Sequence, residues 1–221
     1  WPSIRDRTFG RIDPIAAGGE AYRRSMANVT LFRGDARFIG ERAVRVTAAD
    51  GSTTEVTADQ IILAAGASPA IPDIAGLAGT PFHTSDTIMR IEEIPRRLVI
   101  LGGGFIAAEM GHVFSSLGSA VTIVHRGDRL LRHEDSDISE RFTEQFGRHA
   151  ALHLMTEVTG VDHVGSEFRL RLAPAPGHRG ERCPTDVVGD ALLVTTGRRP
   201  NGAELGVEVT GVELDEAGYV V

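Results

Sequence analysis

Lysine is absent from the 221 residues, so all 23 basic side chains other than histidine are arginine. An anion bound here is therefore met by planar guanidinium forks, which grip phosphate or carboxylate through paired hydrogen bonds. Cysteine occurs once, at Cys183. One thiol closes no internal disulfide, which excludes a small disulfide-stapled scaffold and suits a reducing, cytoplasmic setting. Long apolar runs are also missing. The longest, Leu98 to Ala108, is interrupted by three glycines and falls short of the ~20 residues of a membrane span, so no membrane partner is expected. Nor is positive charge in surplus: 23 basic against 30 acidic residues give a net charge of −7, which argues against nucleic acid as a partner. No basic-then-apolar segment opens the chain. It starts on Trp1 rather than methionine, and the expectation is a piece cut from a longer polypeptide.

What is present is a repeat. Asp59-Gln60-Ile61-Ile62-Leu63-Ala64-Ala65-Gly66 is followed by Pro69, and Asp190-Ala191-Leu192-Leu193-Val194-Thr195-Thr196-Gly197 by Pro200. Asp59 and Asp190, Gly66 and Gly197, and Pro69 and Pro200 all stand 131 residues apart. A short apolar strand precedes each (Val29 to Phe32; Ala151 to Met155). It leads into two β-patterned runs, Ala43 to Ala48 with Thr54 to Ala58, and Glu167 to Leu172 with Arg182 to Val187. Only the second copy has a front half. Arg97 to Gly104 reads as a buried strand entering a glycine turn, Phe105 to Leu117 as a helix, and Ala120 to Val124 as the next strand. A helix from about Asp137 to His149 follows, with Ile138, Phe142 and Phe146 on one face and Asp135 or Ser136 to cap it. The first copy enters only at its closing part, after a helix near Pro14 to Met26. This order predicts an α/β fold: a three-layer, doubly wound dinucleotide-binding domain with an antiparallel meander, plus a partial second copy.

Gly102-Gly103-Gly104-Phe105-Ile106-Ala107 has the form G-x-G-x-x-A between a strand and a helix. Gly102 permits a tight turn, Gly104 lets backbone amides approach a diphosphate, and the small Ala107 lets helix and strand pack closely. At the end of the second strand, an acid holds the adenosine ribose in NAD enzymes, whereas arginines accommodate the extra phosphate of NADP. His125 stands there, followed by Arg126, Arg129 and Arg132, so the pattern favours NADPH. Asp128 is the dissenting residue, within reach of a ribose. His133-Glu134-Asp135 places no two ligands on one helix face and is not a metal motif.

These residues resemble the glutathione reductase family of flavoprotein disulfide reductases. The likeness is carried by Gly102-x-Gly104-Phe105-Ile106-Ala107-Ala108-Glu109, by Ala64-Ala65-Gly66, and by Thr196-Gly197-Arg198-Arg199-Pro200-Asn201, in the family's order over nearly the whole chain. Phe9-Gly10-Arg11-Ile12-Asp13-Pro14-Ile15-Ala16, His83 to Ile91 and Leu130-Leu131-Arg132-His133 are most similar to its mycothione-reducing members. The resemblance implies NADPH and FAD as cofactors, a low-molecular-weight disulfide as substrate, and a homodimeric parent enzyme. It assigns Arg126 and Arg132 to the 2′-phosphate, and Phe105 to covering the nicotinamide pocket. Glu109 falls near the nicotinamide, Gly197 beside the nucleotide, and Gly66 and Arg198 near the flavin.

The resemblance also divides the chain. Residues 1–69 are the closing part of an FAD-binding domain, 70–96 a crossover, 97–203 the nicotinamide-nucleotide domain and 204–221 a return segment. The family's redox cysteine pair and its acid–base histidine are expected outside these residues, which leaves Cys183 as an incidental thiol. Two other readings remain open. One is a lipoamide dehydrogenase or mercuric reductase of the same architecture, the former normally carrying an acid where His125 stands. The other is a non-catalytic nucleotide-binding module, which the half flavin domain argues against.

Overall fold

The computed structural model describes residues 1–178 and 183–221. In chain order, helix α1 (Pro2–Ser25) precedes strands β1 (Asp35–Gly40), β2 (Ala43–Thr47), β3 (Thr53–Thr57) and β4 (Ala67–Pro69). Then follow β5 (Arg97–Leu101), α2 (Phe105–Ser116), β6 (Ala120–Val124), α3 (Ser136–Phe146) and β7 (Ala151–His153). Strands β8 (Thr156–Val164), β9 (Glu167–Pro174), β10 (Asp186–Gly189), β11 (Ala191–Val194) and β12 (Arg198–Pro200) complete the order. The chain forms two compact units, one of residues 1–5 and 69–197, the other of 6–68 and 198–221.

The larger unit is built on a parallel sheet in the order β11-β5-β6-β7. Strands β5, β6 and β11 are buried on both faces, whereas the edge strand β7 is not, and the alternation of those three sorts the core into two halves. Leu98 and Ile100, Val121 and Ile123, and Ala191 and Leu193 pack with Ala107 and Phe114 of α2 and Phe146 of α3. Val99, Leu101, Val124, Leu192 and Val194 face the other way, onto Val158 and Val161 of β8 and Phe168 and Leu170 of β9. Strands β8, β9 and β10 form the antiparallel meander on that second face. Two-sided burial is why these strands read as unbroken apolar runs, and the result is the three-layer α/β architecture expected. At the opposite end of the sheet from the glycine turn, Arg97 bridges Asp190 at 2.6 Å and Glu167 at 3.1 Å. Trp1 packs against Phe114 with the rings tilted by 40° and their centroids 5.6 Å apart, and its indole N–H donates to the Ile91 carbonyl at 2.7 Å.

The smaller unit holds the β1-β2-β3 meander and the β4–β12 pair. Within it the Asn201 N–H donates to Gly66 O at 3.1 Å. Within the larger unit the Ala70 N–H donates to Gly197 O at 2.9 Å. Gly66 and Gly197, like Ala70 and Asn201, stand 131 residues apart, so both copies of the repeat motif make the same type of bond.

Several elements differ from the sequence expectation. The first helix starts at Pro2 rather than near Pro14, which lies inside it. Each meander has a further strand, β1 and β8, that the sequence pattern hid. Both carry a register shift, between Phe38 and Gly40 and between Val158 and Gly160, and a bulge breaks the period-two alternation that reveals a strand. The expected strands Val29 to Phe32 and Ile61 to Ala64 do not form. Their composition suits a parallel sheet, but among the described residues no strand pairs with them, and Ile62 is 90% exposed. Helix α3 ends at Phe146 rather than His149, and Asp135 is its N-cap without a side-chain bond. The run expected to begin at Arg182 forms as β10 from Asp186; Arg182 lies outside the described residues. No helix among those residues is long and apolar enough to cross a membrane.

Candidate dinucleotide-binding site

Strands β5 and β11 are parallel neighbours, and β6 lies on the far side of β5. In a sheet of this order, the connections leaving the carboxyl ends diverge and open a crevice there. Gly102 makes the turn out of β5 with φ +126°, and its N–H donates to Val124 O at 3.0 Å. A Cβ on Gly102 would lie 2.5 Å from Thr195 O and 2.7 Å from Thr195 Oγ1. Thr195 cannot yield, because its N–H and hydroxyl both bind Leu101 O, at 2.8 and 3.0 Å. Gly104 is different in kind. Its backbone is extended (φ −85°, ψ −170°), and a Cβ there would meet nothing within 4 Å.

Gly104 is also the N-cap of α2, with no side-chain cap and no acid in the first turn. The leading amides of a helix lack intrahelical acceptors, and the dipole adds positive character. The space left by Gly104 is thus suited to an anion. Ala107 is wholly buried in the core, the small contact that the motif requires. Phe105 is 63% exposed, and Glu109, also exposed, is four residues on and so on the same helix face. Glu109 makes no ion pair among the described residues. Ile106, between them in sequence, is half-buried.

The loop after β6 carries the cations. It is pinned at its middle: the Leu131 N–H donates to Gly103 O at 2.8 Å, with Leu131 in the left-handed region at φ 53°. Buried Leu130 donates to Thr143 Oγ1 at 2.9 Å and accepts from Ser139 Oγ at 2.5 Å, both from α3. These bonds place Arg132 one residue beyond the glycine turn's own anchor. Arg129 is occupied by Glu140 at 2.9 Å, whereas exposed Arg126 and Arg132 have no ion-pair partner among the described residues.

His125 closes the cluster. A Cβ on Gly103 would lie 2.6 Å from its ring, and one on Gly127 2.5 Å from its Nε2. Burial holds its pKa below the ordinary 6.5, helped by the Arg132 and Arg126 charges and opposed by Asp128 and by a hydrogen bond to the Arg129 backbone. Nε2 is buried without a hydrogen-bond partner. The pin through Leu131 and the packing of His125 were not legible in the sequence. Ser139 and Thr143, four apart on α3, are the one available signal, and they read as ordinary polar helix positions.

Gly197 (φ +136°) follows β11, with open space where a Cβ would be, so it shares the carboxyl edge of the sheet with the glycine turn. Gly66 (φ +69°) and Arg198 belong to the smaller unit, where the Arg198 guanidinium donates to Ala67 O. Cys183 is partly buried near Thr156 Oγ1, with no second cysteine in the chain.

Residues 9–221 match the family model described as pyridine nucleotide-disulphide oxidoreductase. The chain is 42% identical over 226 residues to mycothione reductase of Mycobacterium tuberculosis, covering all of this chain and 46% of that protein. It is 40% identical over 195 residues to mercuric reductase of Acidithiobacillus ferrooxidans, covering 87% and 34%. The HOCl-induced flavoprotein disulfide reductase RclA from Escherichia coli superimposes with a TM-score of 0.84 at 26% identity, over all of this chain and 48% of that one. The chain therefore spans about half the length, or less, of the relatives it matches. A doubly wound domain with an open glycine turn, matched along almost its whole length by these proteins, places the chain in the pyridine nucleotide-disulphide oxidoreductase family of flavoprotein disulfide reductases.

Proposed function

We propose that this chain is the NADPH-binding portion of a flavoprotein disulfide reductase whose substrate is mycothione. The observation that carries the nucleotide choice is the pair of exposed guanidiniums, Arg126 and Arg132, which have no ion-pair partner among the described residues and lie on a loop bonded to the glycine turn through Leu131. With His125 rather than an acid at the end of β6, the adenosine end meets positive charge. Gly102, Gly104 and Ala107 shape the diphosphate site, with the amides of Phe105 and Ile106 turned to it. Phe105 and Glu109 line the path toward the nicotinamide, and Gly197 borders it. The chemistry NADPH supplies when bound is hydride transfer, by way of FAD and a redox disulfide, to the low-molecular-weight disulfide.

For FAD the fit is partial. Gly66, within residues 1–69, and Arg198, at the start of β12, are read as flavin-side positions. The chain contains a single G-x-G-x-x-A, so the flavin's diphosphate must be held elsewhere in a longer, homodimeric enzyme. The choice of mycothione rests on the relative that shares 42% identity.

Calorimetric titration with NADPH and NADH tests the nucleotide assignment. Each charge-assisted bond is worth about 1.5–3 kcal/mol, so Arg126→Ala or Arg132→Ala should weaken NADPH roughly ten- to a hundredfold. NADH should hardly respond. Wild-type protein that binds NADH as tightly as NADPH at moderate salt would overturn the assignment and turn attention to Asp128.

A further inference from the structure

Two hydroxyls on α3 hold the loop after β6. Ser139 is wholly buried, and its Oγ donates to Leu130 O at 2.5 Å. Thr143 Oγ1 accepts the Leu130 N–H at 2.9 Å and donates its own proton to Ser139 O at 2.7 Å. Both peptide groups of Leu130 therefore end on side chains. Residue type decides such bonds, whereas a main-chain ladder forms with almost any sequence. The peptide between Leu130 and Leu131 is held at its two ends, the carbonyl by Ser139 and the N–H by Gly103 O at 2.8 Å. Leu131 itself is left-handed at φ 53°, a conformation that a residue with a side chain adopts at a cost. Arg132 follows directly.

As a helix, α3 gains nothing from these two residues. Alanine at both positions would favour helix over a serine and a β-branched threonine, and a buried hydroxyl has been stripped of water. What the hydroxyls serve is the loop. A strained residue persists only where its surroundings over-determine it, and Ser139, Thr143 and Gly103 together do that for Leu131. Released from α3, Leu131 relaxes toward a negative φ and turns the chain that carries Arg132. We propose that Ser139 and Thr143 are positioning residues for NADPH: they fix the Leu130–Leu131 peptide, so that Arg132 leaves the loop next to the bond to Gly103. This rests on the reading that Arg132 meets the 2′-phosphate. NADH lacks that phosphate and is indifferent to where Arg132 points. The clamp thus acts on the preference between coenzymes, through the backbone of the loop, and not on nucleotide binding at large.

Titration calorimetry with both nucleotides on Thr143→Val and Ser139→Ala, with thermal melts alongside, tests this. Valine keeps the volume of threonine and removes its hydroxyl. Either change should weaken NADPH about tenfold, the effect of one displaced charge-assisted bond, and leave NADH nearly unchanged. Thr143→Ser, which keeps the hydroxyl, should bind NADPH as wild type does. In an Arg132→Ala background the same changes should cost NADPH nothing further, because the residue they act through is gone. Equal loss of both nucleotides, no loss of NADPH, or a full further loss in the Arg132→Ala background overturns the proposal. Thr143→Ala, the better helix former, carries the test if Thr143→Val does not fold. A protein that unfolds with every one of these changes has a clamp that serves the fold and not the coenzyme, which also overturns it. Wild-type protein that binds NADH as tightly as NADPH is a different result, the failure of the arginine assignment itself, and it is seen before any variant is made.

Discussion

Gly102 and Gly104 stand two residues apart in one motif, yet the structure gives their substitutions opposite consequences. At Gly104 a valine finds open space and a backbone already extended. The fold loses only the advantage of glycine over valine at a helix N-cap, about 0.5–1 kcal/mol. The valine does fill the space before the first amides of α2. A dinucleotide diphosphate there makes several charge-assisted bonds of about 1.5–3 kcal/mol each, and losing two weakens binding by at least about a hundredfold. At Gly102 an alanine must hold a positive φ, at about 1–3 kcal/mol, and press its Cβ against Thr195 backbone, at about 1–3 kcal/mol more. That is a large part of the ~5–15 kcal/mol that holds a domain folded. Thermal melts and titrations on both variants separate the two effects. Gly104→Val should melt within a few degrees of wild type and lose NADPH and NADH alike. Gly102→Ala should melt about 5–20 °C lower. A Gly104→Val protein that binds either nucleotide normally would show that the diphosphate lies elsewhere.

Other consequences can be checked alongside. His83, His125 and His153 all have pKa values lowered by burial below the ordinary 6.5; the unfolded chain then binds more protons below pH 6.5, so stability should be full above it and decline as pH falls through the folded values. A melting temperature unchanged between pH 7.5 and 5.5 would contradict this. With Cys183 as its one thiol, a protein of these 221 residues should be colourless and should not oxidise NADPH in the presence of a disulfide; a yellow, active preparation would refute the assignment of redox cysteines and flavin cradle to residues beyond these. Ile62, 90% exposed beside Ile61, should drive self-association visible by light scattering and reduced by Ile62→Asp, and a strictly monomeric wild type at high concentration would refute it.

Legibility in the sequence followed burial. Leu98 to Leu101 and Ala191 to Val194 were clear because both faces of those strands are covered, and the glycine turn was clear because Thr195 tolerates nothing larger than hydrogen at Gly102. Strand β8 was not, because the bulge at Gly160 shifts its inward positions by one. The site was legible in its side chains and illegible in its backbone. Arg126 and Arg132 stood out as cations after a strand, but the Leu131–Gly103 bond that positions Arg132 runs between main-chain atoms and leaves no mark on residue type. Val29 to Phe32 and Ile61 to Ala64 had the composition of strands without the neighbours that make one, since a parallel strand is a property of its sheet.

The pin at Leu131 also separates preference from foldedness. Leu130 and Leu131 tie the loop to α3 and to the glycine turn through main-chain groups, and the exposed residues on either side of them, 126, 128 and 132–134, contribute nothing to the two halves of the core. Those flanking positions can be rewritten while the anchor stays put. A lineage, or an engineer, could therefore exchange one nicotinamide coenzyme for the other by editing a handful of surface codons and leave the scaffold's thermal endurance almost untouched.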